Sequence, residues 1–558
     1  MSKLKTPILI VGGGPIGLAL ALDLGWRGVA ATLIEQGDGS IHHPKMGIMN
    51  VRTMEFCRRW GIVEKVHNGG FPPDYALSIT FCSSLFGNLL AREEFQCMRD
   101  TLPPPESPER RQRGSQLWFD PLLARCVGAY PQIDLKYGMR LDRFEQGAHS
   151  VQATCVDVES GQTLDVEAEY LVACDGAGSG VRKSLGIEML GNPVLSYSVA
   201  IFFRSPDLYR RHGKGDTERF VLVGDRGPWG ALTAIDGRSL WRLTLYRTER
   251  RLDLTSAEIE EELLRMAGGP FEYEVIDVLP WRRTQLVADH YGEGRVWVAG
   301  DAVHTMSPTG GFGMNTGMGD AVDLGWKLAA LIEGWGGENL LQSYNVERQP
   351  VGRRAIDAAA RTFKALVSSD DYSVVSDASP ETVSARAELG RKLRQATYGE
   401  WDTHTLGVQL GYRYESSPLC VADGTPPPPD DHVVYTPSAR PGSRAPHAWL
   451  PDGRSTLDLF GRGFVLLSFG EPADKAAALV KAAALRRVPL TVVRIDDANT
   501  ARLYEQPFVL VRPDGHVAWR GAKIPSQPID LIDRVRGANS NEDLATTRPH
   551  EREYCGPA

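Results

Sequence analysis

The stretch "ILIVGGGPIGLALALDLGWRGVAATLIEQ", residues 8–36, decides the fold. Its continuous apolar run, Ile8–Val11, predicts a buried parallel strand. Three glycines follow in the spacing G-x-G-x-x-G, at Gly12, Gly14 and Gly17. The first permits a tight turn, the second lets the backbone approach a pyrophosphate, and the third lets a helix pack on the strand. With a helix after the loop and a second strand at 31–34, the stretch predicts a β–α–β unit of the Rossmann type.

Glu35 closes the second strand. A carboxylate there can accept hydrogen bonds from both hydroxyls of an adenosine ribose. A glycine-rich turn can also be purely structural, but here strand, loop, helix, strand and acid all occur in register. We therefore predict that this unit binds a dinucleotide, and the motif alone does not separate FAD from NAD(P).

Two later stretches repeat the strand, loop and helix order. The first is "YLVACDGAGSGVRKSLGI" at 170–187, in which Asp175 and Gly176 turn a buried strand toward a helix. The second is "GDAVHTMSPTGGFGMNTGMGDAVDLGWKL" at 300–328, in which a glycine-dense loop precedes a helix expected to begin between Gly313 and Asn315. Between Glu35 and these stretches lies "HHPKMGIMNVRTMEFCRRWGIVEKV", where Lys45 and Arg52 are cations suited to a diphosphate, or else solvated surface charges.

The bulk composition excludes several classes of protein. The 558 residues are 42% hydrophobic and 24% charged, as in globular proteins of two to four domains. The net charge of −8 argues against nucleic-acid and anionic-membrane partners, and no apolar run is long enough for a transmembrane helix or typical of a signal peptide. Eight scattered cysteines, with no C-x-x-C pair, exclude a zinc ribbon and predict no metal site and a cytoplasmic location.

These motifs together resemble the group A flavoprotein aromatic hydroxylases, the single-component FAD monooxygenases related to para-hydroxybenzoate hydroxylase and phenol hydroxylase. Three signatures match in order: the glycine loop with its acid at 12–35, a "DG" motif at 175–176 and a "GD" motif at 300–301. The segments "NVRTMEFCRRWGI" at 50–62 and "LLQSYNVERQPVG" at 340–352 also resemble family segments. The resemblance covers residues 8 to about 365.

The resemblance implies an FAD site, NADH or NADPH as transient reductant, and O2 as co-substrate. In the family, oxygen adds to reduced FAD to give a C4a-hydroperoxide, which hydroxylates an electron-rich aromatic ring. Reduced flavin is anionic, so a helix N-terminus after the second glycine loop would stabilise its charge. The cofactor-binding residues implied are Gly12, Gly14, Pro15, Gly17, Glu35, Gln36, Lys45, Arg52, Gln116, Leu141, Asp175, Gly300, Asp301, Pro308, Gly311, Gly313, Met314 and Asn315.

Catalytic candidates follow from the same resemblance. Pro308 matches a family proline that lies beside the flavin where the substrate ring sits. Phenol-activating relatives place an acid or imidazole base at the position of Gly47, which cannot take a proton. His43 and His304 are candidate bases instead, as is the neighbouring His42, although a lone histidine is more often structural. Alternatively, the substrate is acidic enough to arrive deprotonated, as a nitro- or halo-substituted phenol would.

Residues 190–290 alternate apolar and polar, which predicts antiparallel strands with one covered face. In the family such a sheet covers the flavin and lines the substrate pocket. Five aromatic residues are candidate pocket walls, although each is individually more typical of a core position: Phe202, Phe203, Trp229, Trp241 and Tyr246.

The C-terminal third changes character. "DGTPPPPDDH" is a proline-rich connector, and the βα pattern after it ends in a hairpin, "FVLVRPDGHVAWRG", with Asp-Gly at its turn. It resembles the thioredoxin-like domain of phenol hydroxylase relatives, but its lack of C-x-x-C excludes thiol redox chemistry.

The predicted fold is α/β, a glutathione-reductase-like FAD domain with an inserted antiparallel substrate domain and a C-terminal thioredoxin-like domain. The expected function is hydroxylation of a small phenolic or aromatic-acid substrate. The alternative is a polyketide- or antibiotic-type hydroxylase, or another oxygenase of the same flavin fold, acting on a larger ring system, and we expect a homodimer. The predicted segments are 1–75, 116–188 and 284–365 for FAD, 76–115 and 189–283 for substrate, 366–435 for a helical and proline-rich linker, 436–537 for the thioredoxin-like domain and 538–558 for a flexible tail.

Overall fold

The computed structural model describes residues 2–248, 250–365, 372–375, 377, 379, 382–398 and 405–538. The predicted tail, apart from Ala538, and parts of the predicted linker therefore lie outside the described residues. The described residues divide into two compact units. The first draws its residues from 1–322, 351–410 and 431–435, and the second from 323–350, 411–430 and 436–558.

The fold is mixed α/β. The strands are β1 Ser2–Val11, β2 Ala31–Glu35, β3 Ile48–Met49, β4 Ile79–Cys82, β5 Leu89–Glu93, β6 Gln112–Arg113, β7 Ile133–Tyr137, β8 Met139–Gln146, β9 Val151–Asp157, β10 Thr163–Ala173, β11 Met189–Arg204, β12 Arg219–Gly224, β13 Gly227–Ala234, β14 Leu240–Thr248, β15 Glu274–Ala288, β16 Gly292–Glu293, β17 Val296–Val298, β18 His304–Thr305, β19 Phe464–Phe469, β20 Leu490–Ile495, β21 Phe508–Val511 and β22 Val517–Gly521.

The helices are α1 Pro15–Arg27, α2 Val51–Arg59, α3 Val63–His67, α4 Gln116–Val127, α5 Gly180–Ser184, α6 Leu208–Arg211, α7 Ser256–Ala267, α8 Phe312–Ile332, α9 Gln342–Ala365, α10 Val383–Tyr398, α11 Leu406–Leu410, α12 Ala477–Leu485, α13 Ala498–Tyr504 and α14 Pro528–Val535.

The first sheet brings the three sequence motifs to one edge. Its order is β16-β17-β10-β1-β2-β7, and β1 runs parallel to both β2 and β10, while β10 runs parallel to β17. The carboxyl ends of these strands therefore lie side by side, each followed by one motif. The chain leaves β1 for neighbours on both sides, and ligands of doubly wound sheets bind at such a switch point. The predicted Rossmann-type fold is confirmed.

The second sheet has eight strands in the order β18-β15-β11-β14-β13-β12-β4-β5, mostly antiparallel as the alternation predicts. On its outer face the side chains of Val199, Ile201 and Phe203 pack with Trp241 against residues of α7. On its inner face one row of paired residues crosses five strands. This row contains Asp277, Phe202, Arg242, Thr233 and Arg219. The sheet is therefore an independent layer with two distinct faces.

The second unit contains a four-stranded sheet in the order β20-β19-β21-β22. β19 and β20 are parallel and joined through α12, and the hairpin of β21 and β22 turns at Asp514 and Gly515, as the sequence predicts. Cys420 is a buried free thiol, and all described cysteines are free. The unit therefore has the predicted thioredoxin-like order of strands and helices.

Candidate active site

The first glycine loop is shaped by steric limits of the backbone. Gly12 has φ +105°, and a Cβ there would lie 2.4 Å from the carbonyl oxygen of Cys174. A Cβ on Gly17 would lie 1.9 Å from the carbonyl oxygen of Gly12. Gly14, which caps α1 with Pro15 at its first turn, has nothing within 4 Å of its Cβ position. The loop is thus closed on the protein side and open in front of the α1 N-terminus, where unpaired N–H groups favour an anion.

Glu35 is held at the end of β2 by the backbone. Its two carboxylate oxygens accept hydrogen bonds from the N–H groups of Gly13 at 2.6 Å and Gly37 at 2.7 Å. The following residue, Gln36, is exposed. The carboxylate is therefore oriented beside the first glycine loop, as a ribose-binding acid requires.

The predicted diphosphate cations lie in different environments. Lys45 is exposed, and its backbone N–H donates to Gln116 Oε1 at 3.0 Å. Arg52, in contrast, is only 4% exposed and donates to Glu55 at 2.8 Å, with its guanidinium above the Phe56 ring. Lys45 is therefore the more accessible cation, while Arg52 supports α2 from within.

The DG motif contains an incompletely bonded carboxylate. Asp175 Oδ2 accepts a hydrogen bond from the N–H of Gly180 at 2.9 Å, at the start of α5. Its Oδ1 is buried without a hydrogen-bond partner among the described residues. Leu141 lies on β8 opposite Cys155, half-buried, next to an irregularity in the pairing of β8 with β9. A buried carboxylate oxygen without a partner is expected to bind a ligand hydroxyl or amide.

The GD motif presents a second carboxylate. Gly300 has φ +66°, and its N–H donates to the buried Asp320 at 3.1 Å. The side chain of the neighbouring Asp301 reaches solvent. Protein atoms nevertheless crowd its carboxylate, and this partial desolvation raises the pKa of Asp301 above its ordinary value. The Cβ position of Gly313, near the start of α8, is 4.0 Å from Asp301 Oδ1. Asp301 is therefore an accessible hydrogen-bonding group directly beside a helix N-terminus.

α8 begins at Phe312, earlier than the sequence predicts, and Asn315 lies in its first turn. The Asn315 side chain is fully used: its oxygen accepts from Asn50 N–H and Thr53 Oγ1, and its amide donates to the carbonyls of Ile48 and Gly311. Three of these bonds join α8 to residues 48–53 at the start of α2, and the fourth ties α8 to the second glycine loop. The predicted contacts of Gly311, Met314 and Asn315 with the flavin would therefore involve backbone N–H groups, at least for Asn315.

The loop around Pro308 is fixed from the inner face of the second sheet. Pro308 is exposed, whereas Ser307 and Thr309 on either side are buried. Arg283 on β15 donates to Ser307 Oγ at 2.9 Å and lies 3.4 Å from Thr309 Oγ1. The inner face is thus bound to the loop that would flank the flavin.

The inner face also contacts the loop after β2. His43 Nδ1 lies 2.8 Å from Asp277 Oδ2, and the His43 ring meets the edge of Phe202 at a centroid distance of 6.0 Å. Arg242 donates to the carbonyl oxygen of Pro44 at 2.5 Å. Asp277, Arg242 and Arg283 are therefore the residues through which the second sheet contacts the two flavin-side loops, residues 43–44 and 307–309. The sequence patterns did not identify these three residues.

The two candidate bases lie in different surroundings. His304 is 0% exposed, and its Nε2 lies 2.8 Å from Asp320 in the core beneath α8. A base must reach the substrate, and this enclosed position does not meet that condition. The His43 side chain is 7% exposed, and His42 is exposed. Of the two predicted bases, His43 is the one placed at the inner face.

A side chain at Gly47 would require Arg113 to move. A Cβ there would lie 2.2 Å from Arg113 Nη1, and this buried arginine donates to the Gly47 carbonyl oxygen and to that of Ala234. Arg113 also pairs with the buried Glu218 at 3.1 Å. The position at which phenol-activating relatives carry a base is therefore filled by a guanidinium group.

The five predicted pocket aromatics divide between the two faces. Phe203 and Trp241 are fully buried in the outer core, and Trp229 packs against the same core beneath Arg265. Phe202 lies on the inner face, and Tyr246 shares that face because it lies beneath Arg283. Trp281, which the sequence analysis did not select, also lies there beside Arg283. Only Phe202 and Tyr246 therefore keep the predicted placement.

These residues fit FAD. The open space before Gly14, the oriented Glu35, the unpartnered Asp175 oxygen and the accessible Asp301 all lie at one sheet edge, and they provide partners for a diphosphate, a ribose and a hydroxylated chain. Groups of histidine, cysteine and carboxylate side chains that could hold a metal are absent from the described ranges. Within the same ranges, every helix is too short or too polar to cross a membrane.

The fold and site define a flavin-dependent monooxygenase. Residues 5–359 match the FAD binding domain family, and residues 438–538 match the family described as aromatic-ring hydroxylase, C-terminal. The chain belongs to the family of FAD-dependent aromatic-ring hydroxylases.

Named relatives extend this comparison. A "Putative polyketide hydroxylase" of Streptomyces halstedii is 36% identical, over 94% of this chain and 95% of the relative. The 4-methyl-5-nitrocatechol 5-monooxygenase of Burkholderia sp is 33% identical, over 96% and 97%. The solved structure of the rebeccamycin biosynthetic enzyme RebC with reduced flavin matches with a TM-score of 0.87 and 40% identity, covering 96% of this chain and 100% of RebC. The protein is thus an enzyme that resembles these proteins over nearly its whole length.

Proposed function

We propose that this enzyme oxygenates a hydroxylated polycyclic ring system of the polyketide type, with NADH or NADPH as the reductant. The predicted small phenolic substrate is less well supported, because the relatives favour the alternative of a larger ring system. FAD, when bound, accepts reducing equivalents from the nicotinamide cofactor and activates O2. The protein's part is to bind, orient and exclude water.

The observation that carries this proposal is the inner face of the second sheet. Beside the row that contains Phe202 and Arg242, the next row runs from Leu279 on β15 to Val221 on β12, and its three central positions on β11, β14 and β13 carry Ala200, Thr244 and Ala231. These side chains are small, whereas Phe202, Arg242, Trp281 and Tyr246 surround them. Three adjacent small side chains in the middle of this face leave more room for a planar fused ring than larger side chains would.

In this proposal the first unit's loops bind the cofactor, and the inner face of the second sheet covers the substrate. Glu35, Lys45 and Gln116 hold the adenosine and diphosphate portion, and Asp175 and Asp301 hold the rest of the cofactor with backbone groups of residues 311–315. Pro308 lies beside the substrate ring, and Arg283 fixes its loop. His43 is the candidate proton acceptor.

A second candidate, a small acidic phenol, is favoured by Gly47. Because no side chain at 47 can take a proton, a substrate such as a nitrocatechol, ionised without help, would need no base there. This alternative predicts no dependence on His43.

A substrate panel distinguishes the two. The holoenzyme would be incubated with isotopically labelled O2, NADH or NADPH, and hydroxyanthraquinone, hydroxynaphthoquinone or 4-methyl-5-nitrocatechol, with catalase present. We expect label in the polycyclic products and faster flavin reduction with those compounds. Label confined to the nitrocatechol product would favour the second candidate. Peroxide formation without any labelled product, across the whole panel, would contradict monooxygenation of either class.

The assembly and location stay predictions. We propose a homodimer, which light scattering on the holoenzyme would test, and a monomeric mass would contradict it. A cytoplasmic location remains an inference from the scattered cysteines.

A further inference from the structure

A carboxylate–imidazole pair joins the first-unit loop after β2 to the second sheet. His43 Nδ1 lies 2.8 Å from Asp277 Oδ2, and the His43 side chain is 7% exposed, against 35% for Asp277. The other ring nitrogen, Nε2, has no hydrogen bond within the described residues and is not among their enclosed polar atoms. With Nδ1–H donated to Asp277, Nε2 carries the lone pair and can accept a proton.

The groups facing His43 come from three elements. Asp277 is on β15, Phe202 on β11, and Arg242 on β14, while Lys45 follows in the same loop. Burial lowers the pKa of His43 below its ordinary value, Arg242 and Lys45 lower it further, and the bond to Asp277 raises it. The lowered pKa favours the neutral imidazole, which is the form whose Nε2 lone pair can accept a proton.

Arg242 adds a cation on the other side of Phe202. Its Nη1 donates to the carbonyl of Pro44, but its Nε is buried without a partner among the described residues, and no described carboxylate pairs with it. Burial lowers the pKa of Arg242 to about 10, so it stays charged at neutral pH. A buried guanidinium of this kind stabilises an anion that comes near it.

We propose that Asp277 is a positioning residue that holds His43 as the proton acceptor for a ring hydroxyl of the substrate. This inference rests on the proposed function and deepens it, because it restricts the substrate to aromatics with an ionisable hydroxyl. The O–H bond breaks, its proton goes to His43 Nε2, and its electron pair stays on the oxygen. Asp277 stabilises the imidazolium and Arg242 the oxyanion, and the ring becomes more electron-rich.

The test uses a dye whose colour reports its own ionisation. 1,2-Dihydroxyanthraquinone would be titrated with pH in complex with the FAD-loaded enzyme, and the midpoint of its first ionisation compared with that of the free dye. We expect the wild-type complex to lower this midpoint by about one pH unit or more. His43→Gln and Asp277→Asn should lose most of the shift, and Asp277→Glu should retain part of it.

The chain contains a matched control. Asp289 and His290, directly after β15, form a more exposed carboxylate–imidazole pair with the same 2.8 Å distance. Asp289→Asn should leave the shift unchanged. If Asp277 has a purely structural role, Asp277→Asn either unfolds or gives the same dye midpoint as the wild-type complex. Near- and far-ultraviolet circular dichroism would detect unfolding.

The outcomes separate this inference from the proposed function. If the wild-type enzyme fails to bind the dye, or binds it with an unshifted midpoint, or if folded Asp277→Asn shows the full shift, the inference is contradicted. If the shift is present but the labelled-O2 panel gives no oxygenated product, the proposed function fails while the proton-accepting pair stands.

Discussion

The two glycine loops of the first unit differ in what holds them in place. In the first loop, close backbone atoms fix the conformation. A Cβ on Gly17 would lie 1.9 Å from the Gly12 carbonyl oxygen, while the space before Gly14 is open. In the second loop, side chains hold the backbone through Asn315, Arg283 and Asp320. The first loop therefore presents a rigid main-chain site, and the second is positioned by its neighbours.

This difference teaches that glycine spacing has different meanings at the two places. Gly12 and Gly17 are needed because other backbone is close, whereas the Cβ position of Gly14 is open. At 310–313 the requirement for glycine is conformational, because Gly310 and Gly311 have φ values of +92° and +65°, while a Cβ on Gly313 would meet nothing closer than 4.0 Å. A phosphate loop can thus be recognised from the sequence, whereas the shape of a flavin loop depends on distant residues.

The largest effect is expected at Gly17. Gly17→Ala places a methyl group on the Gly12 carbonyl, so we expect loss of bound FAD and of most soluble holoenzyme. The absorbance ratio of flavin to protein after purification measures this. Gly14→Ala is the matched control, since its Cβ position is open, and it should keep its fold; equal loss of soluble protein in both variants would contradict the steric account.

A smaller effect is expected at Asp120. Its carboxylate accepts a hydrogen bond from Gln116, which in turn accepts one from the Lys45 backbone N–H. Asp120 is 3% exposed, its Oδ1 has no described partner, and burial raises its pKa from 3.8 to about 7. Because the folded state holds the proton more tightly, Asp120 contributes stability that is present below pH ~4 and lost as pH rises through 7. Asp120→Asn should thus be more stable than wild type at pH 8, by up to about 4 kcal/mol, and show little gain at pH 4.

Urea denaturation of the holoenzyme at the two pH values would check this prediction. The exposed Asp134 offers a control, since Asp134→Asn should show no such pH-dependent gain. An Asp120→Asn variant that is equally destabilised at both pH values would show that the carboxylate is needed for its bond to Gln116 rather than tolerated despite its burial.

A comparable but smaller loss is expected at Asn315. Asn315→Ala leaves buried donors and acceptors near Asn50 and Ile48 without partners, at a cost of about 2–3 kcal/mol. We expect a lower melting temperature and faster FAD loss on dilution, with the α1 loop unaffected. Thr316→Ala removes a hydroxyl from the next position of α8 and serves as the control; equal effects would show that Asn315 has no special linking role.

The sequence predicts the locally determined parts of this site and misses the parts that distant residues position. The first loop, Glu35, Asp175 and Asp301 were recognisable because their signals are local: an apolar strand, a glycine spacing and an acid at the strand end. Asp277, Arg242 and Arg283 were not recognisable, because each occupies an ordinary polar position in a strand that alternates apolar and polar residues. Their meeting with residues 43–44 and 307–309 depends on strand register.

The aromatic residues show the same limit. Phe202 and Phe203 are adjacent and alike in the sequence, yet the first lies on the inner face and the second in the outer core. Which face a strand residue occupies is decided by pairing, and a shift of one residue exchanges the faces. The burial of His304 beside Asp320 likewise depends on α8, which begins earlier than its glycines suggested.

The most direct test is whether the two loops hold opposite ends of one FAD. Dissociation constants for FAD and for ADP would be measured with wild-type apoenzyme, Glu35→Gln and Asp301→Asn. We predict that ADP competes with FAD, that Glu35→Gln weakens both by about tenfold or more, and that Asp301→Asn weakens FAD but leaves ADP unchanged. An Asp301→Asn variant that loses ADP affinity as strongly as FAD affinity, or an ADP that does not compete, would contradict the account.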